Sequence, residues 1–167
     1  GVFVYTQKNF NRFTLSGGLR FDNRSLDSKA LTVDGESKFQ AIEKSFSNIS
    51  GSAGISYEAT KELTLKLNIA RGFRAPAIAE LASNGTHEGT NRYEYGDNNL
   101  KSETSFQFDG GIAFDNEHIS ITANGFLNSI KNFIFYSKLE SANGGDSLVH
   151  VDGEDITAFK FSQAKAL

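Results

Sequence analysis

Cysteine is absent from the 167 residues, which excludes a disulfide framework and any thiolate metal site. Tryptophan is absent as well, and proline occurs once, at Pro76. No apolar run approaches the about 18 residues that a membrane-crossing helix needs. A basic surplus is missing too. The net charge is −3 and the pI is near 5.6, so the electrostatic footprint of a nucleic-acid binder is not there. Catalytic signatures are equally lacking: no Gly-x-Ser-x-Gly elbow, no His-Glu-x-x-His pair and no phosphate-cradling glycine loop, so no enzyme is expected. The opening Gly1-Val2-Phe3-Val4-Tyr5 reads as a strand under way, not as a secretory leader.

What the chain does have is phenylalanine, 15 residues, and glycine, 16. Aromatics favour strands and glycines supply turns and kinks, so the expected class is all-β. Strands are expected at roughly 1–7, 12–24, 46–58, 62–72, 104–114, 118–137 and 155–166. Short turns at Lys8-Asn9-Phe10-Asn11, Ala59-Thr60-Lys61 and Asp115-Asn116-Glu117 alternate with long polar loops at about 25–45, 73–103 and 138–154.

Side-chain parity gives each strand an oily face and a polar face. Phe13, Leu15, Leu19 and Phe21 oppose Thr14, Ser16, Arg20 and Asp22, and Leu63, Leu65, Leu67 and Ile69 alternate with polar residues. Ile49, Ala53, Ile55 and Tyr57 oppose Asn48, Ser50, Ser52 and Ser56, while Phe106, Phe108, Ile112 and Phe114 oppose Gln107 and Asp109. Ile119, Ile121 and Leu127 oppose Ser120, Thr122, Asn124 and Asn128, a pattern that Phe126 breaks, as at a bulge or an aromatic turned toward an interior plug. Glycines at 17, 51 and 125 interrupt the oily side. Seven such strands carry an oily face on the order of 1,000 Å², whereas a soluble monomer exposes about 300–600 Å² in one patch. Lipid, a second sheet or a partner must cover it. The opposite face is mostly Ser, Thr, Asn and Gly, which suits a crowded aqueous lumen. A mean hydropathy of −0.36 does not argue against a barrel, since half of each strand faces that lumen.

The most specific stretch runs from Arg71 to Glu103. It carries Gly72-Phe73-Arg74-Ala75-Pro76, then Glu80-Leu81, then Gly96-Asp97-Asn98-Asn99-Leu100-Lys101-Ser102-Glu103. This order resembles the TonB-dependent receptors of Gram-negative outer membranes, and Gly18-Leu19-Arg20-Phe21-Asp22 matches a weaker strand signature of the same family. Asp97, Asn98 and Ser102 depart from the family pattern, the last two standing where prolines are usual, which implies a less rigid loop.

The resemblance implies an antiparallel meander forming part of a plugged transmembrane barrel of about 22 strands. It further implies active import of a metal chelate such as an iron complex, or of zinc. The expected partners are the lipid bilayer, a plug domain upstream, an inner-membrane energy-coupling complex reached through that plug, and a small metal-chelate ligand. Residues 1–167 would then be one partial barrel domain without the plug, with no cofactor and no nucleic-acid partner. Arg71, Gly72, Phe73, Arg74, Ala75, Pro76, Gly96, Asn99, Leu100 and Glu103 are expected to be structural, with Pro76 stopping the strand and Gly96 permitting a tight turn.

Ligand candidates lie inside the same loop. His87 and Glu88 can both bind a borderline divalent metal, and some zinc- and iron-complex receptors of the family look similar around Asn84-Gly85-Thr86-His87. Adjacent residues in an extended segment point opposite ways, so a pair of exposed loop residues is the alternative. Arg92, Tyr93 and Tyr95 suit an anionic ring-bearing ligand, or else anchor the loop on the barrel rim. Asp146, Asp152, Glu154 and Asp155 lack calcium-loop spacing and read as a solvated face. A competing reading is a soluble β-sandwich that binds carbohydrate or protein, its two oily faces meeting about 10 Å apart.

Overall fold

The structure, a computed structural model, describes residues 1–33, 35–39, 41–87 and 89–167, without the side chains of Val33 and residues 36–38. Seven long strands form one antiparallel meander: β1 (Val2–Phe10), β2 (Phe13–Ser28), β5 (Ile42–Glu58), β6 (Leu63–Arg74), β9 (Glu103–Asp115), β10 (Ser120–Lys138) and β12 (Glu154–Ala166). The connections add β3 (Leu31–Val33), β4 (Glu36–Phe39), the one-turn helix α1 (Ile78–Ala82), β7 (Asn84–His87), β8 (Arg92–Tyr95) and β11 (Leu148–Val151). The long loops expected from the sequence are therefore largely structured. β2 and β5 stay paired up to Ser28 and Ile42, well into the segment read as loop.

Registers align the oily rows. Leu19, Gly51 and Arg71 lie side by side, as do Ile69, Phe108 and Leu127, and Leu65, Ile112 and Ala123. The apolar stretch covers nine residues on each of three strands, Phe13–Phe21, Tyr57–Ile49 and Phe114–Phe106. At ~3.4 Å per residue and a tilt of about 40°, nine residues give a band roughly 20 Å tall, close to the ~25 Å apolar band of outer-membrane barrels. At its turn end Phe13 stacks on Tyr57 with ring centroids 4.6 Å apart.

Burial is inverted relative to a water-soluble domain. Leu19 is 62% exposed, Leu67 51%, Phe106 55% and Leu127 68%, while Ser16, Asp22, Asn68 and Asp109 on the other face are half-buried. Polar groups on that face satisfy one another: Asn68 Nδ2 donates to Asp109 Oδ2 at 3.0 Å and Gln107 Nε2 to Asp109 Oδ1 at 2.6 Å. The sandwich reading is overturned, because among the described residues no second sheet packs on the oily face.

Of the two readings offered for Phe126, the structure removes the bulge and agrees with a ring turned to the inner, polar side. Phe126 pairs with Asp109 in an unbroken β9–β10 register, so its ring projects from the polar face without a bulge. The irregularity lies further on, between Ile130 and Phe133, where Asn132 takes φ 56°.

Candidate functional site: the loop-end assembly

The buried side chains collect at the loop end, not in the middle of the sheet. Leu26 and Ile42 project from the polar face at the tops of β2 and β5, and Leu81, Ala82, Leu100 and Ile134 pack with them. α1 and the stretch at Leu100 thus fold inward over the polar face, where the oily side of α1 finds cover. Burial of these apolar groups, each contributing about 1.5–3 kcal/mol when complete, holds the segment in place.

One cation organises it. Arg74, the last residue of β6, grips Glu103 at 2.6 and 2.9 Å through Nε and Nη2, and Glu80 at 2.9 Å through Nη1. Glu80 in turn accepts the Ala77 N–H at 2.7 Å, closing the first turn of α1. Glu103 accepts the Ile134 N–H at 2.6 Å, tying β9 to β10 just beyond its irregularity. This node stands above the oily band. The guanidinium holds the Glu103 carboxyl below its ordinary value of 4.5 by hydrogen bonding; burial opposes this and the Ile134 amide assists it. The same contacts raise Arg74.

The rest of the motif is structural in an identifiable way. Arg71 stands on the oily face, Gly72 pairs with Ser105, and Phe73 pairs with Thr104. Ala75 and Pro76 are buried immediately after the strand ends. Gly96 owes its identity to a close approach and not to a turn: a Cβ there would lie 2.5 Å from the Ala82 nitrogen, and its own N–H donates to Ser83 O at 2.7 Å. Asp97 Oδ1 accepts the Asn99 N–H at 2.8 Å, and Leu100 N–H reaches Asp97 O at 3.2 Å. Lys44 Nζ donates to Asn98 O, and Gln163 exchanges two hydrogen bonds with the Lys101 backbone, at 3.0 and 2.7 Å. The segment that lacks the family prolines is therefore pinned by side chains.

Arg92 lies between rings, its guanidinium carbon 4.2 Å from the Tyr136 centroid and 5.6 Å from Phe159. It pairs with the buried Glu94 at 3.0 Å, so its charge is already partnered. Tyr93 donates to Asn84 Oδ1 at 3.1 Å and lies 5.0 Å from Tyr95. β8 docks in parallel on β12, Arg92 beside Thr157 and Tyr95 beside Lys160. His87 is exposed at the end of β7, with Nδ1 3.2 Å from Thr90 Oγ1. It borders two cavities. One, of about 390 Å³, is lined by Leu31, Phe39, Ala79, Thr86 and Glu94; the other, about 730 Å³ and more open, by Asn91, Asp152, Glu154 and Ile156. Glu88 lies outside the described residues.

Among the described residues, no three His, Asp or Glu side chains converge as a metal cage. The acidic candidates are dispersed: Asp146 pairs with Lys138 and Asp155 with His150, both at 2.9 Å, while Asp152 forms a turn with φ 50°. Gln163, Tyr136 and Phe159 hold the assembly yet carry no local sequence signal, because their partners lie far away in the chain.

The family described as TonB dependent receptor-like, beta-barrel matches residues 1–164. Among solved structures, the hemophore receptor HasR of Serratia marcescens, in complex with its hemophore HasA and heme, superposes with a TM-score of 0.71 at 16% identity, covering 98% of this chain and 29% of that one. The copper transporter OprC gives 0.70 at 18% identity, covering 98% and 24%. The siderophore receptor PirA of Pseudomonas aeruginosa gives 0.68 at 21% identity, covering 98% and 28%. The chain spans less than a third of the length of these receptors. The inverted sheet, the folded-in loop and the match over nearly every residue lead to one assignment: the chain belongs to the TonB-dependent receptor β-barrel family.

Proposed function

We propose that this chain is a seven-strand section of the wall of a Gram-negative outer-membrane receptor that imports a metal chelate. The carrying observation is the juxtaposition of an exposed oily band with a loop-end assembly folded over the polar face. In this reading the oily rows touch lipid and the polar rows line the lumen. The two cavities beside His87 form part of the outward capture surface. A plug domain fills the lumen from elsewhere in the receptor and couples uptake to the inner-membrane energy source.

The donor set favours a chelate over a bare ion. His87 is one ligand without two convergent companions among the described residues, so a metal that arrives carrying its own ligands suits the site better than free zinc. Cavities of this size fall in the range of about 300–1,000 Å³ typical of small-molecule sites. Tyr93 and Tyr95 are half-buried, with ring centroids 5.0 Å apart, and line neither cavity, so anchoring β8 beside Arg92 suits them better than docking the ligand.

The test is equilibrium binding to the full-length receptor in detergent, using ferric chelates in parallel with zinc chloride. Saturable chelate binding, weakened about tenfold by His87→Ala (~1.4 kcal/mol, one good polar contact), is the expected result. Tight stoichiometric zinc binding abolished by the same substitution would replace the chelate reading with a zinc one.

A further inference from the structure

The oily face has two notches where side chains are small. One, of about 230 Å³, has Gly51 as its floor and Leu19, Ile49, Ala53, Ile69 and Phe106 as its walls, with Arg71 at the loop-side end. The other, about 490 Å³, lies over Gly110 and Gly125 between Leu65, Leu67 and Ile112. The floor of the first cannot be filled, because a Cβ on Gly51 would lie 2.6 Å from Gly18 O.

Charge is distributed just as unevenly. On β2, β5, β6, β9 and β10 the outward rows carry two cations, Arg71 and Lys131, both at the loop-side margin of the apolar band. Lys131 sits one row further out and two strands away, roughly 10 Å sideways at ~4.8 Å per strand. Arg71 Nη1 donates to Ile49 O, and among the described residues no carboxylate pairs with the guanidinium. A guanidinium on a lipid-facing surface is costly at the bilayer centre and settles at headgroup depth, where its remaining N–H groups match a phosphate in bidentate geometry.

From the groove and the cation at its mouth we infer a specific lipid site: an anionic, phosphate-headed lipid of the loop-side leaflet lays an acyl chain along Leu19, Gly51 and Ile69 and places its phosphate on Arg71, with Lys131 steering the headgroup. This rests on the reading that the oily face meets a bilayer. The apolar groove beside the cation selects a lipid over free phosphate, since a soluble anion leaves the groove unfilled.

The experiment uses the full-length receptor, purified, delipidated and titrated with phosphatidylglycerol or phosphatidylcholine, with bound lipid counted by native mass spectrometry on the folded, heat-modifiable fraction. One basic residue near an anionic headgroup contributes enough for about a fivefold preference, so wild type should retain phosphatidylglycerol at least that much better. Arg71→Gln should bring it down to the phosphatidylcholine level and Arg71→Lys should recover most of the difference. Ala53→Leu, which fills the groove, should lower retention of both lipids. Equal retention of the two lipids by folded wild type, or an Arg71→Gln variant indistinguishable from it, overturns the site while leaving the barrel reading intact. Displacement of phosphatidylglycerol by millimolar inorganic phosphate overturns it in favour of a soluble anion. A receptor that does not enter bilayers at all removes both readings.

Discussion

At the scale of single residues, Arg74 has the most consequences. It closes the loop from both ends, holding Glu80 in α1 and Glu103 at the start of β9. Arg74→Ala leaves two carboxylates without their partner. Breaking a buried pair costs about 3–5 kcal/mol, but Arg74 is 44% exposed and solvent screening lowers this to roughly 1–2 kcal/mol. Hydrogen exchange across residues 75–102 of the full receptor should therefore accelerate about 5- to 30-fold (the conversion of that energy), while the oily strands keep their protection. Acid should act on the same joint. Because folding lowers the Glu103 pKa, its stabilisation is complete above 4.5 and is lost as pH falls toward the folded value. Protection of the loop should thus decline below about pH 4.5, and Glu103→Gln should flatten that dependence.

Glycines provide a second comparison at this scale. Gly96→Ala drives a Cβ into the backbone at the end of α1, whereas Gly125→Ala meets nothing within 4 Å. The first should destabilise the loop by about 1–3 kcal/mol and the second should be nearly neutral, as read from urea unfolding of the refolded receptor. The punctuation was legible in the sequence, since Pro76 and Gly96 stand out in any reading of the loop. The reason for Gly96 was not, because it is set by a chain segment that approaches from another part of the motif.

At the scale of elements, all seven long strands were anticipated, and on five of them parity marked the faces, because a face that must be oily repeats every second residue. The same signal fades where the strands leave the apolar band. Asn23, Ser45 and Ser47 hydrogen-bond side chain to side chain across β2 and β5 at 2.8–3.0 Å, and a polar strand flanked by polar loop has no alternation to read. Phe126 breaks the alternation for the opposite reason, an apolar residue on the aqueous side in an unbroken ladder, so parity alone left a bulge open as well. β8 was illegible because its partner β12 lies about sixty residues away. That pairing can be trapped. The chain has no cysteine, and neighbouring strands lie ~4.8 Å apart, within the span a disulfide bridges. Tyr95→Cys combined with Lys160→Cys should cross-link under mild oxidation in the intact receptor, detected as a mobility shift reversed by reductant. Absence of the cross-link would remove β8 from the edge of β12.

At the scale of the molecule, everything turns on which face meets lipid, and two adjacent residues can decide it. Leu67 lies mid-band on the outward face, while Asn68 points the other way and donates to Asp109. Leu67→Arg should destabilise the bilayer-folded receptor by about 2–4 kcal/mol, the cost of a cation on the lipid face near the midplane. Asn68→Lys, which gains a carboxylate neighbour, should change it by less than about 1 kcal/mol. Equal effects would mean that both faces see the same medium.

The strands also outrun the apolar band at one end only. Beyond Ile49, β5 continues for seven more residues to Ile42, still paired with β2. At ~3.4 Å per residue and a tilt of about 40°, that extension rises roughly 18 Å past the apolar band, whereas the turns at the opposite end sit almost flush with it. The wall is thus a chimney and not a collar. In the receptor proposed above, this extension would carry the cavities beside His87 well clear of the headgroups, within reach of an incoming ligand and of antibody alike.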